Sequence, residues 1–330
     1  MNTRSLNRRI RVLSVDGGGI RGIVAARILA EIERRSGKPA STLFDLMAGT
    51  STGGILVLAL AKPGTNAGVP AHSAEEILDF YNRQGRIIFS RALRHRLKTL
   101  NGIMGSRYGG RGIDRALHDF FGEARLRDAL TPVLVTSYEL ERRAPFFFRS
   151  MRAQSDPNYD YPMKVVARCT SAAPTYFAPQ KIATGGSSDY YALIDGGIFA
   201  NNPTACAYVE AKTEYEKAED FTVVSIGTGT LEQPILFDRA KSWGIAQWAR
   251  PLLGTVFGGI DSTVDYQLRH LLRDRADGTS RYFRLQSKLQ QGNEGMDTVD
   301  AGNLRHLRLC AEAMIRENSA TIDEICQQLV

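Results

Sequence analysis

The sequence predicts an α/β fold with a largely parallel central sheet, and three observations predict it. Short apolar, β-branched runs alternate with segments of helical spacing along most of the chain. Two of those runs end in glycine-rich turns that open straight into helical patterns, at Asp16-Gly17-Gly18-Gly19-Ile20-Arg21-Gly22 and at Gly49-Thr50-Ser51-Thr52-Gly53-Gly54. The length of 330 residues allows roughly three-quarters of the unfolded surface to be buried, so no disulfide staples are needed.

The elements follow in order. Residues 10–15 form a β-branched strand, and after the glycine loop Ala25, Ile28, Leu29 and Ile32 recur at helical spacing until Gly37 stops the helix behind Arg34 and Arg35. Residues 44–48 lead into the second glycine turn and the apolar run from Ile55, which reads as strand, tight turn and buried helix. Further strands are expected at 132–138, 145–148, 192–194 and 222–226, helices at 75–81, 163–171 and 204–215, and loops at 62–72, 102–112 and 154–161. After Gly227-Thr228-Gly229 the texture turns helical, over 262–273, 303–317 and 321–329, with a lone strand at 282–285. This suggests a domain over 1–230 and a helix-rich extension over 231–330 packed on it.

Composition narrows the class. With 43% hydrophobic and 23% charged residues, 31 Gly and 12 Pro, the chain is neither disordered, collagenous nor a coiled coil. The four cysteines are scattered, without a C-x-x-C pair, and suggest neither a metal site nor a disulfide framework. The polar, basic residues 1–11 have no signal-like apolar core, and the best apolar run, 55–61, is too short to span a bilayer. A soluble, cytoplasmic protein is expected. The net charge of +7 favours anionic partners, whether membrane surface, nucleotide or nucleic acid.

Three short motifs carry chemistry. Gly49 to Gly53 matches G-x-S-x-G between a strand and a helix, the setting in which a sharp turn exposes a nucleophilic Ser51 and flanking glycines relieve the crowding. Gly17, Gly19 and Gly22 satisfy G-x-G-x-x-G after a strand. That loop reads either as a dinucleotide-binding turn or as a cradle of backbone N–H groups for a transient anion, with Arg21 adding to the field. Asp16 is a poor neighbour for a diphosphate, and a nicotinamide enzyme would leave the Ser51 turn unexplained. The third motif, Leu193-Ile194-Asp195-Gly196-Gly197, places a carboxylate at a strand end; alone it is an ordinary Asp-Gly turn.

A nucleophilic serine needs a base, commonly histidine. The chain has His72, His95, His118, His270 and His306; only the last two follow Asp195, and both lie in helical patterns. Only two strands precede Ser51, early for the nucleophile elbow of an α/β-hydrolase, so a histidine-free arrangement enters consideration.

These motifs, in this order, resemble those of the patatin-like phospholipases. The similarity spans roughly residues 8 to 230 and takes in Ser171-Ala172-Ala173-Pro174, Phe177-Ala178-Pro179 and Asn201-Asn202-Pro203. The resemblance implies a three-layer α/β/α sandwich and a carboxylic ester hydrolase of phospholipase A type. It further implies a Ser51–Asp195 dyad working through an acyl-enzyme, an oxyanion hole from Gly17, Gly18 and Gly19 with Arg21 nearby, an elbow shaped by Gly49 and Gly53, and neither metal nor organic cofactor. An aspartate of ordinary pKa, about 3.9, is a weak base toward a hydroxyl, so burial of Asp195 is expected to strengthen it. Val264-Asp265-Tyr266-Gln267, the strand at 282–285 and the helical end look like bacterial patatin-like effectors of anti-phage defence. That likeness implies a cyclic dinucleotide activator and action at the inner membrane.

Other features bear on partners. Residues 83–115 hold nine Arg or Lys and one acid; drawn as a helix, Phe89, Leu93, Leu97 and Leu100 share a side opposite Arg91, Arg94 and Lys98. This is either a surface helix on the core or a basic surface for anionic lipid or an anionic activator. Aromatic interleaving is thin, so nucleic acid is not expected. Phe146, Phe147 and Phe148 suggest a buried strand, Tyr176 and Phe177 an acyl pocket, and Trp243 with Trp248 an accessory segment. Two other classes remain at this level: a Rossmann-like oxidoreductase built on Gly17 to Gly22, and a catalytically silent module binding a membrane or partner.

Overall fold

The computed structural model describes residues 8–89, 106–184, 189–230, 234–248, 251–289 and 295–330. An eight-stranded mixed sheet runs through it, from β1 (Ile10–Val15), β2 (Leu46–Thr50), β3 (Val133–Glu139), β4 (Ala144–Arg149), β5 (Gln180–Ala183), β6 (Tyr190–Asp195), β7 (Phe221–Ile226) and β8 (Tyr282–Leu285). The path is β5-β6-β3-β2-β1-β7-β8, with β4 paired to β3. β3, β2, β1, β7 and β8 are mutually parallel neighbours, and antiparallel pairs join β3 to β4, β3 to β6 and β5 to β6. The chain steps from β1 to β2 on one side and later adds β7 on the other. The loop after β1 therefore sits at the switch point of the sheet, where α/β folds place their ligands.

The faces are covered by α1 (Gly22–Ser36), α2 (Thr52–Ala61), α3 (Ala74–Ile88), α4 (Arg111–Phe121), α5 (Met163–Thr170), α6 (Thr204–Glu214), α7 (Pro251–Leu271), α8 (Ala301–Glu317) and α9 (Ser319–Leu329), with shorter turns between. Strand alternation sorts the core into two layers. Leu13, Val15, Met47, Val224 and Ile226 pack against α1, α2, α3, α8 and α9, while Ile10, Val12, Leu46, Phe221 and Val223 face Ala207 and Ala211 of α6 and Leu268 of α7. This is the expected three-layer sandwich. Helix α2 (TGGILVLALA) is buried along its whole length, which its all-round apolar composition requires. Helix α1 ends where Gly37 turns left-handed (φ 66°) and returns its N–H to the Glu33 carbonyl at 2.8 Å.

Strand β3 decides where the site lies. Residues 134–136 pair with β4 and, on the other side, with β2; residues 137–139 pair with β4 and with β6. Since β4 keeps one edge throughout, β2 and β6 share the other and run toward each other. Thr50, the last residue of β2, pairs with Thr136, and Asp195, the last of β6, pairs with Ser137. The two strand ends abut.

Several expectations change. The edge strand β5 gave no sequence signal, being four residues of which only Ile182 is buried. Part of 154–161 is helical, at Ser150–Ser155 and Pro157–Tyr159, and α7 starts eleven residues earlier than the predicted 262. The strand at 282–285 is not isolated: it extends the sheet in parallel beside β7, while α8 and α9 pack on α1. The boundary at 230 thus runs through the sheet. Of the Phe triplet only Phe148 is buried; Phe146 and Phe147 are half-buried because β4 is an edge strand packed on one side by β3 alone. The amphipathic pattern at Leu93, Leu97 and Leu100 lies outside the described residues.

Candidate active site

Ser51 follows β2 directly and precedes α2. Its backbone is forced to φ 55°, ψ −120°, in the region that favours glycine. Its N–H donates to the Thr170 hydroxyl at 2.8 Å, which ties the turn to the end of α5. The two glycines are required by backbone approach. A side chain at Gly49 would run into the backbone of Gly53 and Gly54, and one at Gly53 into the carbonyl oxygens of Val15 and Asp16. Gly53→Ala is therefore expected to destabilise the fold by about 1–3 kcal/mol or more, since the obstruction is backbone of the central strand. Denaturant unfolding measures it; a loss under about 0.5 kcal/mol would show that β1 yields.

Asp195 is buried. The Gly197 N–H donates to its Oδ1 at 2.8 Å, and its own N–H donates to the Ala172 carbonyl at 3.1 Å, in the Ser-Ala-Ala-Pro loop. Burial raises its carboxyl to about 6, while hydrogen bonds from the Ser51 hydroxyl and the Gly197 N–H pull the other way. Serine and aspartate, 144 positions apart, are thus partners across the abutting ends of β2 and β6. Hydroxyl bridges fasten that junction: Thr50 Oγ1 lies 2.7 Å from Thr136 Oγ1, and Ser137 donates to the Ile194 carbonyl at 2.5 Å.

The glycine loop lies against this pair, with Gly17 packed toward the Ser51 Cβ. Its three N–H groups are not equivalent. The Gly17 N–H is committed to the Asn201 carbonyl at 2.9 Å, so Gly17 drops out of the expected set of anion donors. The N–H groups of Gly18 and Gly19 have no acceptor among the described residues, and the left-handed φ of 59° at Gly19 turns the chain there. Arg21 sits beside the loop, its Nε 3.4 Å from the Gly18 carbonyl. Burial brings its pKa down to about 10, against the pull of Tyr176 and Asp16, and it stays charged at neutral pH.

Asp16 faces away from the cradle. It forms a two-pronged pair with Arg284 of β8, at 3.0 and 2.5 Å, and the same guanidinium bonds to Asp261 of α7 and to Ser225 at 2.8 Å. Burial works against the charge on Arg284, but Asp16 and Asp261 outweigh it and hold its pKa above the ordinary value. Asn202 joins through its amide, which donates to Asp261 at 2.9 Å. Among the described residues the dinucleotide alternative keeps only the Gly18 and Gly19 N–H groups of this loop as donors. The N–H groups of Gly17, Ile20 and Arg21 bond to Asn201, Met296 and Gly18 carbonyls, and the carboxylate before them is neutralised from within.

Neither His270 nor His306 reaches the pair. His270 is exposed on α7 with Nδ1 2.8 Å from the Tyr266 carbonyl of its own helix, and His306 contacts Cys310 on α8. Phe177 is buried against Phe89 and Tyr108, whereas Tyr176 is half-buried. Arg284, Asp261, Thr170 and Tyr81, whose hydroxyl donates to the Thr52 carbonyl at 3.0 Å, escaped the sequence reading. A carboxylate at a buried strand end signals that a cation must exist somewhere, but not which of 42 basic residues supplies it.

The family model described as "Patatin-like phospholipase" matches residues 13–208. Patatin-like protein 2 of Oryza sativa subsp. indica is 30% identical over 353 residues, covering 96% of this chain and 86% of its own. Patatin-like protein 1 of Arabidopsis thaliana is 29% identical over 340 residues, covering 93% and 81%. A Solanum tuberosum relative named "Probable inactive patatin-3-Kuras 1" is 28% identical, covering 95% and 88%. The similarity runs past the family model into β8 and the helices behind it, where Arg284 closes on the glycine loop. With its three motifs assembled at one end of a patatin-type sheet and the family model matching 13–208, the chain belongs to the patatin-like phospholipase family.

Proposed function

We propose that this protein hydrolyses acyl esters of membrane glycerophospholipids through Ser51 and Asp195. The observation that carries the reading is the placement of a serine on a strained elbow beside a buried carboxylate that burial makes more basic and that interaction with the Ser51 hydroxyl tempers. Ser51 Oγ attacks the ester carbonyl carbon as its proton passes to Asp195. The N–H groups of Gly18 and Gly19, with Arg21 behind them, hold the oxyanion. Asp195 returns the proton to the departing alkoxide, releasing the lysophospholipid. Water, deprotonated by Asp195, then attacks the acyl-enzyme, freeing the fatty acid and Ser51. No step calls for a metal.

The pH dependence follows from the sign of the shift. Asp195 must be ionised to accept the proton, and its carboxyl titrates near 6. For a soluble ester, kcat/KM should rise about tenfold per unit below pH 6 and level off above it. Asp195→Asn should lower the plateau by about three orders of magnitude or more and abolish that limb. A limb near pH 4 would mean that another group limits the reaction. Fluorophosphonate labelling separates an enzyme from a silent relative, since a merely binding protein has no activated serine to react.

The substrate's location is supported by an exposed apolar stretch. The chain touches the glycine loop at Thr228, whose hydroxyl donates to the Gly17 carbonyl at 2.6 Å, and soon presents Ile235, Leu236 and Phe237, then Ile245. Phe237 is 78% and Ile245 91% exposed, with Arg239 and Lys241 between them, a composition suited to a lipid interface. Phe237→Glu with Ile245→Glu should cut hydrolysis of vesicles by about tenfold or more while leaving a soluble ester unaffected. Equal loss on both substrates would assign the stretch to folding. The contact proposed is peripheral, at the inner membrane; no helix among the described residues is long and apolar enough to cross a membrane. Control by a cyclic dinucleotide completes the proposal and rests on the resemblance of the tail. Fatty acid release from bacterial phospholipid vesicles, with and without such nucleotides, tests it.

A further inference from the structure

Shortly after Asp195 the chain returns to the catalytic pair at Asn201. The helical turn Gly197–Ala200 carries it there, and two backbone bonds fix its position. The Thr50 hydroxyl donates to the Ala200 carbonyl at 2.5 Å, and the Gly17 N–H donates to the Asn201 carbonyl at 2.9 Å. The paired asparagines then part. Asn202 is buried, donates to Asp261 and accepts the Thr204 N–H at 3.1 Å. Asn201 is half-buried, and its side-chain amide forms no hydrogen bond among the described residues. Its oxygen lies where two glycines lack a side chain. A Cβ on Gly17 would be 2.5 Å from Asn201 Oδ1 and 3.5 Å from the Ser51 Cβ; one on Gly197 would be 3.5 Å from the same oxygen and 3.1 Å from Asp195 Oδ1. An amide oxygen that holds no donor thus stands beside both members of the pair. Three other acceptors next to them are already engaged: the Thr170 hydroxyl by the Ser51 N–H, the Gly17 carbonyl by Thr228, and the Ala172 carbonyl by the Asp195 N–H.

We infer that Asn201 is a catalytic residue for the second half of the reaction: its Oδ1 accepts a hydrogen bond from the water that attacks the acyl-enzyme. The inference rests on the hydrolytic reading through Ser51 and Asp195 and deepens it. Water brings two protons, and Asp195 takes only one. With the other held by Asn201, the water's lone pair is aimed at the acyl carbon. The water oxygen bonds to that carbon as one proton passes to Asp195. The bond to Ser51 Oγ then breaks, the proton on Asp195 moves to the serine, and the second proton stays on the oxygen that enters the fatty acid. Acylation makes no use of this contact, because the leaving oxygen of an ester carries no proton to donate. An alcohol attacking in place of water has a single hydroxyl proton, which goes to Asp195, so it too does without Asn201. A neutral amide suits the task, since it accepts a hydrogen bond without setting a second negative charge beside Asp195.

The test is how one acyl-enzyme divides between water and methanol. The native full chain, Asn201→Leu and Asn201→Ala are given p-nitrophenyl butyrate in buffer containing methanol, and butyric acid and methyl butyrate are measured together. The ratio of acid to methyl ester should fall about tenfold or more in both variants. Release of p-nitrophenol should show a burst and then a slow phase, with the acyl-enzyme visible by intact mass. Fluorophosphonate labelling, which uses Ser51, Asp195 and the oxyanion donors but no water, should stay within about threefold of the native rate. Both variants keep the Asn201 carbonyl that holds Gly17, so the glycine loop remains anchored. An unchanged ratio of acid to methyl ester overturns the inference. So does a loss of labelling in step with the loss of hydrolysis, which would make Asn201 a positioning residue for the loop. A native chain that neither labels nor releases p-nitrophenol removes the hydrolytic reading and the inference with it, whereas a native chain that labels while the ratio holds in both variants removes the inference alone.

Discussion

Ser51→Ala is expected to lower phospholipid hydrolysis by about four to six orders of magnitude, because the acyl-enzyme cannot form without the hydroxyl. The remaining machinery, Asp195 and the glycine loop, retains only what binding and oxyanion stabilisation supply. Stability should hardly change, since Ser51 is half-buried and its backbone N–H bond to Thr170 survives. Ser51→Gly sharpens the point. At φ 55° and ψ −120° any side chain is strained, so glycine should be more stable than the alanine variant by about 1 kcal/mol while equally inactive. An inactive but stabilised variant is the signature of strain kept for function. Turnover retained in either variant would remove Ser51 from the mechanism.

Arg284→Ala is expected to have the largest effect on stability, about 3–5 kcal/mol. The Arg284 side chain is 6% exposed and the Asp16 side chain 3%. Truncation leaves the Asp16 carboxylate buried without a partner, next to Asp261. The penalty is that of unpaired buried charge, not the net worth of the pair. Arg284→Lys should fall between, because an ammonium keeps the charge and loses the fork. Denaturant midpoints at constant slope measure the losses, and a cost below about 1 kcal/mol would show that water reaches Asp16. The same variants should slow fluorophosphonate labelling, since Asp16 anchors the loop from which Gly18 and Gly19 present their N–H groups.

Much of the fold was legible because it is local. Alternation of buried β-branched runs with helical spacing placed the strands around Val12, Ala48, Val135, Leu193 and Val224, and the buried strand at 282–285 was delimited as observed. The short edge strand β5 was not, since four residues with a single buried side chain, Ile182, are too few to show a period. In the site, the glycines at 49 and 53 announced an elbow because steric exclusion at a tight turn is a property of the residues themselves. Gly17 was assigned a donor role that its bond to Asn201 forbids, and that bond joins residues far apart in the chain.

The amino-acid order by itself determined the local chemistry: a serine that must stand proud of a turn, a flexible run of glycines after a strand, and a carboxylate ending another. Which carboxylate meets the serine was decided only when β2 and β6 took opposite halves of one edge of β3, bringing Thr50 and Asp195 to neighbouring positions of that strand. Which cation answers Asp16 was decided when β8 joined the sheet beside β7 and carried Arg284 to it. Both are long-range pairings, set by sheet order and burial, and neither leaves a trace in the spacing of residues along the chain.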